Sequence, residues 1–350
     1  MNNKKIKVLV IATSRLTRGG ITSVIKAHEN SPQWKESNCK WIETHRDGSN
    51  FQKIWYLLTA LITFFFLLPF YNIVHIHIAT SSSAKRKQLF IYPTKWLKKK
   101  LIMHFHPSNE KFLFEIKNQK LYKRLFAKAD LILVLSQQWK RWLQEALEIH
   151  DRVDVLYNPC PSVNQNRNLH RENILVAGSI IPRKGYKTII NAFSLIAADN
   201  PKWKLVFAGN GEIDIAKNLV KTKGIDQQVE FLGWVKDSEK EMAFQKASIY
   251  CLASDGEGFP MGLLDAWAYH LPSIVTPVGG IPDIVEHGVN GMIYPVGDFK
   301  TLSTQLNHLI NDAEIRKRII NETDKLVTTI FNVDHINNQL ALIYKNLLKN

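Results

Sequence analysis

The feature that most constrains this chain is an alternation of short β-branched runs with longer helical patterns, which occurs twice. In the first half, KVLVIAT, IVHIHIA, LIMHFH, LILVLS and VDVLYN are separated by helical segments. The pattern restarts with NILVAGS and continues through WKLVFAGN, VEFLGWV, SIYCLAS, SIVTPVG and GMIYPVG. Strands that alternate with helices at this spacing predict βαβ units and parallel sheets. We therefore predict an α/β protein with two doubly wound domains that face each other across a cleft.

The length supports two domains, because 350 residues with 45% apolar composition are enough for two cores of ordinary size. The polar, proline-bearing stretch PCPSVNQNRNLHREN suits a link between them. We predict a first domain at 1–160 and a second at 161–330. The amphipathic segment 331–350 is predicted to be a helix that packs on one of the two, with the first domain favoured.

The cysteines and glycines exclude several common sites. Cys39, Cys160 and Cys251 stand far apart without CxxC or Cys/His metal spacing, so neither a disulfide framework nor a zinc site is predicted, and a reducing compartment fits best. The turn GNGE at 209–212 is not GxGxxG, and GxxxxGK[ST] is absent from the sequence. Neither a dinucleotide fingerprint nor a P-loop is therefore supported.

Charge is distributed unevenly along the chain. Residues 1–160 carry 26 Lys and Arg against 11 Asp and Glu, whereas residues 161–350 carry 20 of each. The same half contains IWYLLTALITFFFLLPFY at 54–71, within a segment that has no charged residue from 54 to 84. A membrane span, a core helix and a helix lying in a bilayer surface are all compatible with this run. The basic runs at 84–88 and 95–100 favour the interfacial helix, because anionic lipid attracts lysine and arginine.

Small or polar turns follow the predicted strands of the second domain. Glycine allows backbone N–H groups to approach a ligand, and a helix N-terminus favours an anion such as a phosphate. Since the carboxyl ends of parallel strands share one sheet edge, the turns predict a nucleotide site there. The turns are Gly178-Ser179, Gly209 to Glu212 with Gly211 between them, Gly233-Trp234, Ser254 to Gly258, and Gly279-Gly280.

The run from Val229 to Asp298, which includes SDGEGFPMGLLDAWA, resembles the donor-binding half of the retaining glycosyltransferases of family 4. In the first domain, RGG, HIH, HFHPS, LVLS and YNP follow the family order more loosely. The resemblance implies a GT-B fold, in which two Rossmann-like domains handle donor and acceptor. It also implies metal-independent transfer of a hexose with retained configuration, without a cofactor.

The resemblance assigns expected roles to residues of the second domain. Glu257 takes the position of the acid that faces the reacting sugar, and Asp265 the position of the acid that holds the ribose hydroxyls, where the family usually has glutamate. Lys184 matches a cation that neutralises the diphosphate. The family's arginine is replaced by Ser179, and adjacent Arg183 is a candidate substitute. We expect Gly209, Gly211, Trp234, Val235, Gly258 and Phe259 to contribute to donor binding.

Five positions in the first domain complete the expected site. Gly19 and Gly20 would offer main-chain N–H groups to the diphosphate, although an ordinary helix start explains the same pattern. His106 matches the family's histidine near the reacting sugar, and His104 is expected to point to the opposite sheet surface. The remaining two, His75 and His77, share a strand face and are either acceptor-side groups or structural.

The sequence as a whole predicts a glycosyltransferase that uses a UDP- or GDP-sugar. A lipid-linked or polysaccharide acceptor at the cytoplasmic face of an anionic membrane would fit bacterial surface-polysaccharide synthesis. A non-catalytic GT-B scaffold or partner subunit stays open because of Ser179, as does an epimerase or phosphorylase of the same fold. Nucleic-acid binding is disfavoured, since the basic runs lack a recognisable base-reading module.

Overall fold

The computed structural model describes residues 5–163 and 171–349, which form two compact units. One unit comprises 1–159 with 331–350, and the other comprises 160–330. The centre of the segment predicted as a link, 164–170, lies outside the described residues.

The first unit is built on a six-stranded parallel sheet in the order β2-β1-β3-β4-β5-β6. The strands are β1 Val8–Ala12, β2 Lys40–Glu43, β3 Ile73–Ile78, β4 Lys100–Phe105, β5 Leu131–Val134 and β6 Val153–Val155. The helices are α1 Gly20–Glu29, α2 Pro32–Glu36, α3 Asn50–Leu67, α4 Ser81–Trp96, α5 Lys111–Phe114, α6 Ile116–Phe126 and α7 Gln137–Leu147. All predicted strands of this half are present, and β2 is an additional strand that the sequence pattern does not predict.

The second unit repeats the architecture, with a parallel sheet in the order β12-β11-β10-β7-β8-β9. Its strands are β7 Asn173–Ala177, β8 Lys204–Ala208, β9 Val229–Gly233, β10 Ile249–Leu252, β11 Ser273–Val275 and β12 Met292–Ile293. Its helices are α8 Tyr186–Ser194, α9 Ile213–Thr222, α10 Asp237–Gln245, α11 Met261–Ala268, α12 Phe299–Asn311 and α13 Ala313–Thr328. The predicted turns therefore lie beyond the carboxyl ends of strands in one parallel sheet.

The final helix, α14 Val333–Lys349, belongs to the first unit. Its buried residues Ile336, Leu340 and Tyr344 join the core formed by Val8, Val10, Ile73 and Ile102 of the sheet. Asn337 Oδ1 lies 2.6 Å from Nδ1 of buried His28 on α1. Apolar burial and a buried polar contact thus fix this helix on one face of the first sheet.

Candidate active site

Glu257 is the best-defined candidate in the second unit. It lies in the turn between β10 and α11 and is 7% exposed. Ser254 Oγ donates a 2.6 Å hydrogen bond to its Oε1, and Lys184 Nζ forms an ion pair with the same oxygen. Ser254 is itself held, because Thr276 Oγ1 donates to its carbonyl at 2.6 Å. A buried carboxylate is therefore kept in a defined position by one hydroxyl and one cation.

Asp265 lies on α11 and is also 7% exposed. Lys240 Nζ of α10 lies 2.7 Å from Asp265 Oδ2. Burial raises the pKa of Asp265 above its usual value, and the contact with Lys240 offsets part of that rise. Each acid of the Glu257–Asp265 pair is thus paired with its own lysine from a different segment.

The charges of both acids act on the hydroxyl of Tyr250 on β10. Burial, then the charges of Glu257 and Asp265, raise the pKa of Tyr250 well above its ordinary value. Within the described residues its hydroxyl has no hydrogen-bond partner. Both carboxylates consequently act on one neutral phenol, which agrees with their placement at the same edge of the sheet.

The segment after β7 carries the candidate diphosphate-binding groups. Gly178, Ser179 and Lys184 line one pocket together with Tyr186 and apolar residues of β7, β8 and β10. Arg183 is not among its lining residues, and its guanidinium donates to the carbonyl oxygen of Gly256 in the Glu257 turn. The structure therefore gives Arg183 a main-chain contact within that turn, and leaves exposed Ser179 at the position of the family's arginine.

The glycines of the GNGE turn are explained by the neighbouring strand. A Cβ on Gly209 would overlap the carbonyl of Gly178, and one on Gly211 would overlap that of Ile180. Ile180 N donates to Asn210 O at 2.8 Å and so ties the turn to the end of β7. Close backbone packing accounts for both glycines, and their role in donor binding stays a prediction.

The other predicted donor-binding residues divide into core and surface positions. Phe259 is buried beside the Glu257 turn, and Gly258 accepts a 3.0 Å hydrogen bond from Gly280 N. Trp234 follows edge strand β9 and is 36% exposed, and Val235 next to it is half-buried. Among these four, only the 234–235 pair presents substantial side-chain surface for a base.

Gly279 packs closely against the backbone of Glu257. Its φ is +61°, in the left-handed region, and an added Cβ would overlap the carbonyl oxygen of Glu257. Both the backbone angle and the close approach therefore require glycine.

We expect Gly279→Ala to lower the free energy of unfolding by about 2 kcal/mol or more, because left-handed strain and steric overlap add. Gly224→Ala is the matched control, since Gly224 has φ +67° but open space around its Cα. It should cost only about 1 kcal/mol. Urea denaturation of both variants measures the difference, and equal losses would show that the overlap is absorbed.

In the first unit, Gly19 precedes α1 with φ +130° and ψ 170° and Gly20 is its first residue. Gly19 is the N-cap residue of α1 and has no side chain, so it does not cover the first-turn N–H groups of the helix. Both residues are exposed. This geometry suits the helix start and is compatible with the predicted anion contact.

Four histidines of the first unit form a stacked array that we call the histidine ladder: His75, His77, His104 and His106. His77 pairs in register with His104, and the rings of His104 and His106 are 4.2 Å apart. The expectation that His104 points to the opposite surface is wrong, because residues two apart on a strand share a face. His75 and His77, which were predicted as acceptor-side or structural groups, are both buried.

The ladder is uncharged near neutral pH. Burial, reinforced by neighbouring imidazoles, lowers the pKa of His75 to about 3 and those of His77 and His104 well below their usual value. Burial, followed by the charge of His28, also lowers the pKa of His106 to about 3. Its Nε2 lies 2.9 Å from His77 Nδ1, and at 8% exposure it is the most exposed of the four.

Comparisons with known proteins match both halves. The model of glycosyl transferases group 1 matches residues 162–326, and that of glycosyltransferase family 4 matches residues 11–161. The chain is similar to an exopolysaccharide phosphotransferase of Streptomyces coelicolor, with 30% identity over 63% of this chain and 24% of that protein. It is also similar to the amylovoran biosynthesis glycosyltransferase AmsK of Erwinia amylovora, with 26% identity over 79% of this chain and 70% of that protein.

Three curated relatives are spanned over 24%, 59% and 54% of their length. Among solved structures, HepE of Anabaena in complex with UDP matches with a TM-score of 0.75 and 18% identity. The match covers 97% of this chain and 100% of that one. The likeness confirms the predicted GT-B fold.

Proposed function

We propose that this chain, which belongs to the group 1 glycosyltransferases of family 4, transfers a sugar from a nucleotide-diphospho-sugar to a hydroxyl acceptor. The observation that carries the proposal is the Lys184–Glu257–Ser254 cluster at the carboxyl edge of the second sheet. A held carboxylate can accept sugar hydroxyls, and an adjacent ammonium can stabilise a diphosphate leaving group.

The donor binds mainly to the second unit in this proposal. Lys184 lies in the pocket beside Ser179 and contacts Glu257, so a diphosphate there meets a cation already fixed near the acid. Asp265 accepts the ribose hydroxyls, and Lys240 must share or release its carboxylate. Because Asp265 is one methylene shorter than glutamate, a water can bridge its contact to the ribose.

The transfer is proposed to be metal-independent and to retain the anomeric configuration, with the departing diphosphate accepting the proton of the incoming hydroxyl. His106 lies near the reacting sugar in this scheme. Its lowered pKa keeps it neutral, so it acts as a hydrogen-bonding group rather than as a cation. Gly19 and Gly20 contribute main-chain N–H groups to the diphosphate.

A UDP-sugar is the favoured donor, and a GDP-sugar is the next candidate. HepE, which shares the fold, was crystallised with UDP and with UDP-glucose. The acceptor is proposed to be a lipid-linked glycan or polysaccharide, in line with the exopolysaccharide and amylovoran assignments of two relatives. The enzyme would then act in bacterial surface-polysaccharide synthesis.

The apolar helix α3 supports a membrane location for that acceptor. The segment Asn50–Phe70 is long and apolar enough to cross a bilayer, but only 17% of its apolar 18-residue window is buried within the protein. Ala60, Phe64 and Leu68, four residues apart, form its buried stripe, and Phe64 packs edge-on against Phe90 of α4. The core-helix interpretation does not fit, because most of the large apolar side chains point outward.

We propose that α3 lies in the cytoplasmic surface of the membrane as a peripheral anchor. Lys85 and Lys98 are exposed and available to anionic headgroups. Other cations of the basic runs are used internally: Lys87 donates to the Ile11 carbonyl at 3.0 Å, and Lys95 pairs with Asp130 at 2.7 Å. The electrostatic contribution to membrane binding is therefore smaller than the lysine content implies.

A donor panel tests the proposed activity. The full chain is incubated with UDP-, GDP-, ADP- and CMP-sugars, with and without EDTA, while thermal protection and nucleotide release are measured. We expect one donor to protect the protein and to be slowly hydrolysed in both conditions, and Glu257→Gln to retain protection but lose hydrolysis. NMR of the transferred sugar would then report retention or inversion.

Glu230→Gln is a suitable control, since Glu230 is an exposed residue of edge strand β9. If a donor protects the protein against heat but releases no nucleotide, even when a lipid or polysaccharide extract is added as a source of acceptor, the chain is a non-catalytic scaffold. The absence of the family's arginine at Ser179 would then explain the missing activity. Activity that disappears with EDTA and returns with Mg²⁺ or Mn²⁺, but not with Zn²⁺, would overturn metal independence of the transfer.

A further inference from the structure

The histidine ladder contains buried nitrogen atoms that the proposed transfer does not explain. His104 is 1% exposed, and neither of its ring nitrogens has a hydrogen-bond partner in the described part of the chain. His75 Nε2 is likewise buried without a partner there. Each unsatisfied buried polar group costs about 1–3 kcal/mol. Such a cluster calls for a ligand that accepts several imidazole lone pairs at once.

Three of the rings bring nitrogen atoms close together. One ring nitrogen from each of His75, His77 and His104 lies within 4.8 Å of the other two. In a tetrahedral zinc site with Zn–N of about 2.0–2.1 Å, the nitrogens are about 3.4 Å apart. The nitrogens therefore need to approach one another by about 1.4 Å at most. Because the rings lie at interplanar angles of 17–35° to one another, they must also rotate so that their lone pairs meet at the ion.

His75 and His77 each use Nδ1 in a contact with a neighbouring side chain. His75 Nδ1 lies 2.7 Å from Tyr344 Oη on α14, and His77 Nδ1 lies 2.9 Å from His106 Nε2. These contacts leave Nε2 of both rings as the nitrogen available to a metal. Metal-bound histidines usually make such a second hydrogen bond through the nitrogen that does not bind the metal, which fixes the tautomer and the ring plane.

The chemistry of the ligand set selects the metal. The three imidazoles are buried, and a neutral imidazole keeps one lone pair that a metal ion can accept. The group contains nitrogen ligands only, whereas Mg²⁺ and Ca²⁺ require oxygen. Neutral imidazole suits Zn²⁺ among the common divalent ions.

We propose that His75, His77 and His104 bind a Zn²⁺ ion that joins β3 to β4 and, through Tyr344, to α14. The site is structural and goes beyond the proposed transfer, which uses no metal. It also departs from the sequence prediction, because the ligands come from two HxH pairs on adjacent strands rather than from local Cys/His spacing. Zinc would satisfy His75 Nε2 and one of the two His104 nitrogens, which are otherwise buried without partners among the described residues.

The test uses the full chain purified without a histidine tag, stripped with dipicolinate and titrated with ZnCl₂. We expect about one zinc per chain by elemental analysis, and a rise in melting temperature on zinc addition. Cobalt substitution should give the visible absorption of a four-coordinate site in which three ligands are imidazole nitrogens. His104→Phe should abolish zinc binding and the thermal shift, whereas exposed His150→Phe should change neither.

Tyr344→Phe is a second variant that does not touch the ligands. Losing the hydrogen bond to His75 Nδ1 should weaken zinc affinity about 10- to 100-fold. Less than about 0.1 zinc per wild-type chain with no zinc-dependent thermal shift overturns the site, and so does unchanged zinc binding by His104→Phe. In either case a buried water becomes the explanation of the unpaired nitrogens.

Discussion

Lys184→Met is expected to lower the rate of sugar transfer about 100- to 1,000-fold, the usual effect of removing one fixed stabilising group from a developing negative charge. Lys184 is the cation that contacts buried Glu257, and it lines the pocket beside Ser179 where the family's arginine is absent. The loss should appear in kcat/KM for the donor, and binding of the free nucleoside diphosphate should weaken as well. Lys202→Met, at an exposed position of the same unit, is the matched control.

The stability effect of this variant can be separated from its catalytic effect. Removing Lys184 leaves the Glu257 carboxylate buried with Ser254 Oγ as its remaining side-chain partner, so Lys184→Met should also lower the free energy of unfolding. The double variant Lys184→Met with Glu257→Gln removes the uncompensated charge and should recover that stability without recovering activity. If the folded single variant transfers sugar at the wild-type rate, Lys184 does not stabilise the leaving group.

Arg183 provides a contrast at the next position. Its guanidinium donates to the Gly256 carbonyl, and it does not line the pocket that contains Lys184. Within the proposed mechanism, it supports the Glu257 turn more directly than it contacts the donor. In the sequence, Lys184 matches the family's cation and Arg183 is a candidate substitute for its arginine, and only the fold of the 182–184 turn shows that the two side chains contact different groups.

Periodicity in the sequence was sufficient to predict the paired sheets, because buried parallel strands appear as continuous β-branched runs such as VLVIA and IVHIHI. It missed β2, whose four residues KWIE begin and end with a charged residue. Edge strands bury less surface and carry a weaker hydrophobic signal. Pairing with β1 makes this segment a strand, which is a tertiary effect.

The candidate site was predicted only where motif residues are local in sequence. Glu257, Asp265 and Lys184 fall within recognisable runs, whereas Lys240 comes from α10, where no sequence pattern connects it to Asp265. Tyr344 is similar, since it reaches His75 across 269 positions of the chain. Such contacts depend on how helices pack, and a single sequence does not contain that information.

The misplacement of His104 has a different cause, since the relevant rule is local. Residues 104 and 106 differ by the strand period, so they share a face, and the register of β3 with β4 adds His77 beside them. Each HxH pair alone predicts one shared strand face, and the two pairs together, on adjacent parallel strands, predict the ladder.

Glutamate substitutions at Phe51, Ile62 and Phe66 are expected to abolish binding of the chain to anionic vesicles. These α3 side chains are 75%, 72% and 74% exposed, so the changes should leave the free energy of unfolding nearly unchanged. Burying each such side chain in a bilayer contributes about 1.5–3 kcal/mol, so their joint loss corresponds to more than about a thousandfold in the partition coefficient. Co-sedimentation with phosphatidylglycerol vesicles measures the partition coefficient of each variant.

The control replaces Leu195, Ile215 and Val296 by glutamate, since these are exposed apolar residues of the second unit, 56%, 51% and 46% accessible. It adds the same negative charge but should retain vesicle binding. Equal losses in both triple variants would mean that net charge, rather than the α3 surface, governs association.

Because only a few exposed cations such as Lys85 and Lys98 flank the helix, high salt should weaken wild-type binding only modestly. Carbonate extraction then separates the two remaining interpretations of α3: an interfacial helix is released, whereas a membrane-spanning helix remains with the vesicles.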